Sequence, residues 1–295
     1  MNIPHEICDP AKRYDFLLLF DVSDGNPNGD PDAGNLPRLD PETMQGIVTD
    51  VCLKRKIRNY IDMAVSPEGD FDLADGNGIF VRDSGVALNT KLKAAAEAVG
   101  AKPDKKKENK DSRTEMCKRY YDIRMFGGVL STGEYNCGQV RGPMQLTFSR
   151  SVDPIVPSDI AITRVAITKE GEQKETEIGR KALVPYGLYV GKGFFSPMLA
   201  AETGVSEKDL ELFWQAVLGM FENDRSASRG YMELRGVFVF RHDNPLGNAP
   251  SGMLFDRLTV KLKDGIEAPR QFDHYVVECD DSGLPEGVKL YRLLD

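Results

Sequence analysis

The stretch Asp15-Phe-Leu-Leu-Leu-Phe-Asp-Val22 decides the fold. Its apolar residues run continuously and polar residues bound them. Such a strand is buried on both faces, so it belongs inside a sheet covered from both sides. Residues 23–40 follow, rich in Gly, Asn, Asp and Pro, and predict a long loop. Asp40-Pro41-Glu42 then has the form of a helix start, with Asp as cap, Pro at the first position and acid in the first turn. The helix is predicted to run to about Asp62. Met44, Ile47, Val48 and Val51 form its apolar stripe, and Ile57, Tyr60 and Ile61 continue it.

Residues 64–138 read as an insertion, with short helices at 86–99 and 113–124 and a charged, mobile run from Lys102 to Lys110 between them. Met144, Leu146 and Phe148 alternate in a strand over 143–150. Another alternating segment, 160–168, is followed by a polar tract and a strand at 183–190, the pattern of a hairpin with a charged tip. Ser206-Glu-Lys-Asp209 is a capping-box start. Leu210, Phe213, Trp214, Val217 and Phe221 keep helical spacing behind it. Apolar strands are expected at 234–241, 256–262, 274–279 and 288–293. Without the insertion the order is strand, helix, strand, strand, helix, strand, the split βαβ order of ferredoxin-like and RNA-recognition folds. The fold class is therefore α+β, with an RRM-like (ferredoxin-like) core.

The chain's 295 residues can bury a large core without disulfides or metals. Five scattered cysteines form no CxxC pair, which points to free thiols rather than zinc or disulfides. No apolar run reaches membrane-spanning length and the first residues lack signal-peptide features, so a cytoplasmic location and no membrane partner are expected. The net charge of −8 argues against a generally basic nucleic-acid binder. Any RNA role must rest on local basic segments.

Searches for chemistry return little. Gly187-Leu-Tyr-Val-Gly191-Lys192-Gly193 has the wrong glycine spacing for a phosphate-binding loop and no Ser or Thr after the lysine. Asp24-Gly-Asn26-Pro-Asn28-Gly29-Asp30 opens like a calcium loop, but Asn35 stands where a bidentate Glu is needed, and turn-forming explains the Asn and Asp residues better. His5, His242 and His274 belong to no triad pattern. Asp21, Asp24, Asp30 and Asp32 cluster, and such carboxylates can hold magnesium against a phosphodiester. A solvated acidic turn is the simpler reading. No cofactor, metal or catalytic residue is assigned.

The basic segments carry more. Lys54-Arg55-Lys56-Ile57-Arg58 is dense in charge, and Lys54 and Arg58, four apart, share a helix face that can meet successive phosphates. A solvated helix surface fits the pattern equally well. Phe126-Gly127-Gly128 and Gln139-Val-Arg141-Gly142-Pro143 combine glycines, which permit close backbone approach, with an aromatic or a guanidinium. Ordinary turns would also explain them. Phe194-Phe195 and Phe238-Val-Phe240 contain aromatics of the kind that stack on bases, though core packing is their commoner fate.

Taken together, several motifs resemble the CRISPR-associated backbone subunit, the seventh Cas family of the RAMP superfamily, in its type I-C Cascade form. They are Gly25-Asn-Pro-Asn-Gly-Asp-Pro-Asp32 with Pro37-Arg38, Asp122-Ile-Arg-Met-Phe-Gly-Gly128, Gly138-Gln-Val-Arg-Gly-Pro-Met-Gln145, and Ser226-Ala-Ser-Arg-Gly230 with Phe240-Arg-His-Asp243. The resemblance implies a palm over 1–63 and 139–295, inserted fingers over 64–138 and a thumb hairpin at about 155–185. It implies copies stacked head to tail along one CRISPR RNA, with guide pairing supplying specificity for target DNA. The implied partners are the end-capping, large and small Cascade subunits and a recruited helicase-nuclease. RNA contact is carried over to Arg38, Lys54, Arg55, Arg58, Arg141 and Arg229, then to Phe126, Gly127, Gly128, Gln139 and Gly142. Arg164, Lys181 and Val184 are the implied thumb residues. The competing expectation is a type III-like, metal-dependent endoribonuclease subunit that uses Asp30 or Asp32.

Overall fold

A computed structural model describes residues 3–65, 76–82, 85–164 and 177–294. In chain order its strands are β1 (Arg13–Gly25), β2 (Gly29–Asp30), β3 (Leu36–Pro37), β4 (Gln45–Val48), β5 (Gly127–Val129), β6 (Gln139–Arg141), β7 (Met144–Leu146), β8 (Ser149–Pro154), β9 (Ser158–Arg164), β10 (Glu177–Phe195), β11 (Tyr231–His242), β12 (Leu258–Leu262), β13 (Tyr275–Cys279) and β14 (Val288–Arg292). The helices are α1 (Asp50–Val65), α2 (Leu88–Ala98), α3 (Lys110–Arg119), α4 (Tyr121–Phe126), α5 (Pro197–Thr203), α6 (Glu207–Asn223) and α7 (Ser251–Phe255).

The main sheet runs β14-β11-β1-β10-β8-β4, and its paired strands are antiparallel. Strand β1 lies near its middle, paired with β10 on one side and β11 on the other. Both faces of β1 are covered. Phe16, Leu18 and Phe20 meet Leu53, Ile57 and Ile61 of α1 and Phe213, Trp214 and Phe221 of α6. Leu17 and Leu19 meet Phe238, Phe240, Leu254, Tyr275 and Val288 in a separate core built by the C-terminal segment. A third cluster, including Phe80, Leu92, Met116, Tyr120, Ile123 and Leu130, gives the inserted region a small core of its own.

The capping box of α6 forms as its sequence requires, with the Ser206 hydroxyl accepting from Asp209 N–H and the Asp209 carboxylate accepting from Ser206 N–H. The predicted helix from Asp40 does not form. Asp40 closes one turn, its carboxylate accepting from Glu42 N–H and its carbonyl from Met44 N–H at 2.8 Å. Met44 has φ 57°, a left-handed conformation that ends the turn. Ile47 and Val48 then pair with β8 as β4, and the helix starts ten residues later at Asp50, after Thr49. Val51, expected on the buried stripe, is 66% exposed, while Lys56 is buried. The run at 102–110, expected to be mobile, is held by Asp104, which caps the N–H groups of Lys106 and Lys107. The alternation predicted to Phe148 stops early: Met144 and Leu146 are buried, but Phe148 is exposed beyond β7.

The hairpin of β9 and β10 is paired from Ser158↔Leu183 to Arg164↔Glu177. The tract beyond it, 165–176, lies outside the described residues. Among the described residues no helix is long and apolar enough to cross a membrane.

The contact between β10 and the core tolerates little change. A Cβ on Gly193 would lie 2.0 Å from Phe16 Cζ. The Phe16 ring cannot swing away, because Trp214 and Phe213 hold it edge-on at centroid distances of 5.1 and 6.0 Å. Gly193→Ala is expected to destabilise the chain by about 1–3 kcal/mol, the usual cost of overpacking. Urea unfolding measures this, and an unchanged midpoint would contradict the packing described.

Candidate nucleic-acid interface

Two of the sequence motifs meet directly. A Cβ on Gly25 would lie 1.9 Å from the Arg229 carbonyl oxygen, so the 25–32 loop and the 226–230 segment touch backbone to backbone. Gly230, at φ 64°, completes the contact from the other side, and Asn26 N–H donates to the Ser228 carbonyl at 2.8 Å. The asparagines of the loop are braces. Asn26 Nδ2 donates to the Asn35 carbonyl at 2.7 Å, and Asn28 Oδ1 accepts from Thr49 N–H at 2.9 Å at the start of α1. Asp30 accepts from Asp32 N–H and faces Arg38 at 3.4 Å. Among the described residues no group of three or more metal-ligating side chains gathers.

Three cations converge here. Burial pushes the Cys52 thiol up, and the positive charges of Lys56, Arg229 and Arg38 oppose that shift. Lys56 is buried against Phe221 and pairs with Asp224, and burial pulls its ammonium below the ordinary lysine range against the pull of that carboxylate. Arg229 Nε also faces Asp224, at 3.4 Å, while its Nη1 donates to the Pro27 carbonyl at 3.0 Å.

A second group forms around Phe126 at the end of α4. Lys54 Nζ and Arg58 Cζ lie 5.7 and 5.2 Å from its ring centroid, cation–π distances. The two residues do share a face of α1. Lys54 is only slightly more open than Arg58, their side chains 12% and 10% exposed; it pairs with Asp50 at 2.9 Å and lies 3.5 Å from Gln145 Oε1. Arg58 is buried, its Nε donating to Asp122 at 2.8 Å. Asp122 also accepts from the N–H groups of Phe80 and Val81, at 2.7 and 3.0 Å. It therefore ties α1 to the inserted region. Arg55 Nη1 donates to the Val81 carbonyl at 2.7 Å.

Gly127 and Gly142 form the floor of this group. A Cβ on either would meet the other segment's backbone at 2.5 Å or less, and Gly127 pairs with Arg141 across β5 and β6. Gly128 pairs with Val140 beside it. Gln145 Nε2 donates to the Gly142 carbonyl at 2.9 Å. Gln139 and Arg141 project from β6 into solvent, and Arg141 has no ion pair among the described residues. The structure thus brings Lys54, Arg58, Phe126, Gly127, Arg141 and Gly142 together, and sets Arg38 and Arg229 with Lys56 at the start of α1.

The remaining candidates are not brought to these groups as exposed contacts. Val184 is wholly buried in β10 opposite Gly25, and Lys181 and Arg164 lie farther out on the hairpin. Phe238 and Phe240 are covered by the C-terminal segment, and Phe194 packs on Phe255, so these aromatics serve the core. Asp21 is buried beneath Arg235 and Tyr186, away from Asp30. Sequence reasoning quotes Asp122 at the head of a motif but gives it no role, and it passes over Asp224. The visible signal for Asp224 was an acid closing α6, where the helix dipole disfavours negative charge.

Residues 12–280 match the family model described as "CRISPR-associated protein Cas7". A curated protein of that name from Haloferax volcanii is 27% identical, covering 91% of this chain and 81% of its own length. A solved chain from a "CRISPR RNA-guided surveillance complex, pre-nicking" aligns with a TM-score of 0.50 at 13% identity, covering 79% of each chain. That likeness concerns the fold. The chain belongs to the Cas7 family of CRISPR-associated proteins.

The Asp122 tie can be tested directly. Breaking a buried ion pair by removing one partner costs about 3–5 kcal/mol. Asp122→Asn, which leaves the Arg58 guanidinium buried without its counter-charge, is expected to fall in that range by chemical denaturation. A loss under about 1 kcal/mol, the worth of a surface pair, would contradict the tie.

Proposed function

We propose that the chain is a non-catalytic backbone subunit of a type I-C surveillance complex and holds CRISPR RNA along the face built from α1, the 25–38 loop and the β5–β6 turn. The observation that carries this reading is Arg141: an exposed guanidinium with no ion pair among the described residues, on the strand whose backbone pairs with Gly127 beside the glycine floor. A guanidinium so placed can grip a phosphate through two parallel N–H donors. Arg38 and Arg229 extend the cationic track from the other end. The contacts are to sugar and phosphate and are indifferent to sequence.

In this reading the main sheet with α1 and α6 is an RRM-like palm, the inserted region forms the fingers, and the β9–β10 hairpin is the thumb. Ile160 and Ile162 are exposed on one face of that hairpin, an apolar strip suited to a neighbouring protein surface. Copies assemble head to tail, so acidic and basic faces are separated and the net charge of −8 is compatible with an RNA track. Target DNA is read by guide pairing, and the end-capping, large and small subunits and a helicase-nuclease complete the machinery. Asp30 is engaged with Arg38, which favours a structural role for it over phosphodiester cleavage.

Binding to single-stranded RNA should weaken with salt by about 0.7 logarithmic units per tenfold for each phosphate neutralised. Replacing Lys54 and Arg141 together with glutamine is expected to reduce that slope by about 1.4, twice the single-phosphate value. An unchanged slope would remove both residues from the interface.

A further inference from the structure

The carboxylate of Asp224 stands where helix electrostatics disfavour it, at the C-cap of α6, whose last turn carries no basic residue. Local rules are broken at positions that serve something else. Two cations face Asp224: Lys56, which is 1% exposed and so cannot itself reach a ligand, and Arg229. Of these only Arg229 opens to solvent, its side chain 32% exposed. Asp224 faces its Nε as an ion pair at 3.4 Å, and the Pro27 carbonyl accepts from Nη1 at 3.0 Å. The outer nitrogen, Nη2, has no hydrogen bond among the described residues. An arginine has five N–H donors in a rigid fork. Held at Nε and at Nη1, the guanidinium keeps the N–H donors of Nη2 for a phosphate oxygen.

We propose that Asp224 is a positioning residue for nucleic-acid binding: it acts through Arg229, locking that guanidinium toward the RNA backbone, while buried Lys56 holds the carboxylate in place. This rests on the reading of Arg229 as an RNA contact. The gain comes from preorganisation, because an arginine already ordered loses less side-chain freedom when it binds.

Both layers can be measured with the full chain, a mixed-sequence single-stranded RNA and a salt series. Arg229→Ala tests the contact, and a slope reduced by about 0.7 is expected; an unchanged slope sinks the RNA reading of Arg229 and the inference with it. Asp224→Asn tests the positioning role. It should weaken binding several-fold alone and add no further loss in the Arg229→Ala background. Should Asp224→Asn leave affinity unchanged or raise it while Arg229→Ala weakens it, the carboxylate would be a bystander or a competitor of phosphate, and the inference alone would be overturned. An equal further loss in the Arg229→Ala background would overturn it too, since Asp224 would then act by another route. Asp224→Asn leaves Lys56 buried without its carboxylate, so the double variant Lys56→Met, Asp224→Asn is measured beside it. The same several-fold loss is expected there, and wild-type affinity in the double variant overturns the proposal.

Discussion

Strand β1 must be covered on both faces, and the rest of the molecule is arranged around that requirement. Tyr14, Phe16, Leu18, Phe20 and Val22 are buried on one face and Leu17 and Leu19 on the other, so neither face can be left to water. The helices α1 and α6 cover one side, and the segment after β11 covers the other. A sheet covered in this way cannot offer its surface to bases as an open RNA-recognition sheet does. Phe238 and Phe240 show the consequence, since both lie under the C-terminal layer. In the proposed reading, contact with RNA is left to what borders the helix side: the start of α1 and the two glycine-bearing turns.

Those borders share a physical device. Glycines at 25 and 230, and again at 127 and 142, let two chain segments approach backbone to backbone where any side chain would collide. Their first role is therefore structural: they bring distant motifs into one place. Two acids do the complementary work. Asp122 holds Arg58 and two backbone N–H groups of the insertion, and Asp224 holds Lys56 and Arg229. Much of the positive charge in the Lys54–Arg58 run is thus neutralised inside the protein. Among the candidates, the cations left outward are Arg141, parts of Arg38 and Arg229, and less of Lys54.

What the sequence revealed and what it hid follow from the range of the interactions. The capping box at Ser206 and the apolar spacing behind it depend on neighbours within a turn or two, so α6 was legible in full. The continuous apolar run of β1 announced a strand buried on both faces. The start of α1 was misread because Asp40, Pro41 and Glu42 satisfy every local rule for a cap, while the pairing of Ile47 and Val48 with β8, more than a hundred residues away, makes that segment a strand. The basic cluster was legible as charge but not as geometry. Nothing local tells that Lys56 and Arg58 are buried, because their partners stand 168 and 64 residues along the chain. Motifs containing Gly25, Gly127, Gly142 and Arg229 could be picked out, but their convergence could not.

The central claim is that this Cas7-family chain is a scaffold for RNA. Native mass spectrometry of the material captured through a tag on the chain, expressed in its own cells, addresses it most directly. The account predicts one RNA of defined length carrying several copies of the chain, dissociating as salt rises. A chain recovered without RNA, or with RNA bound equally well at high salt, would contradict it.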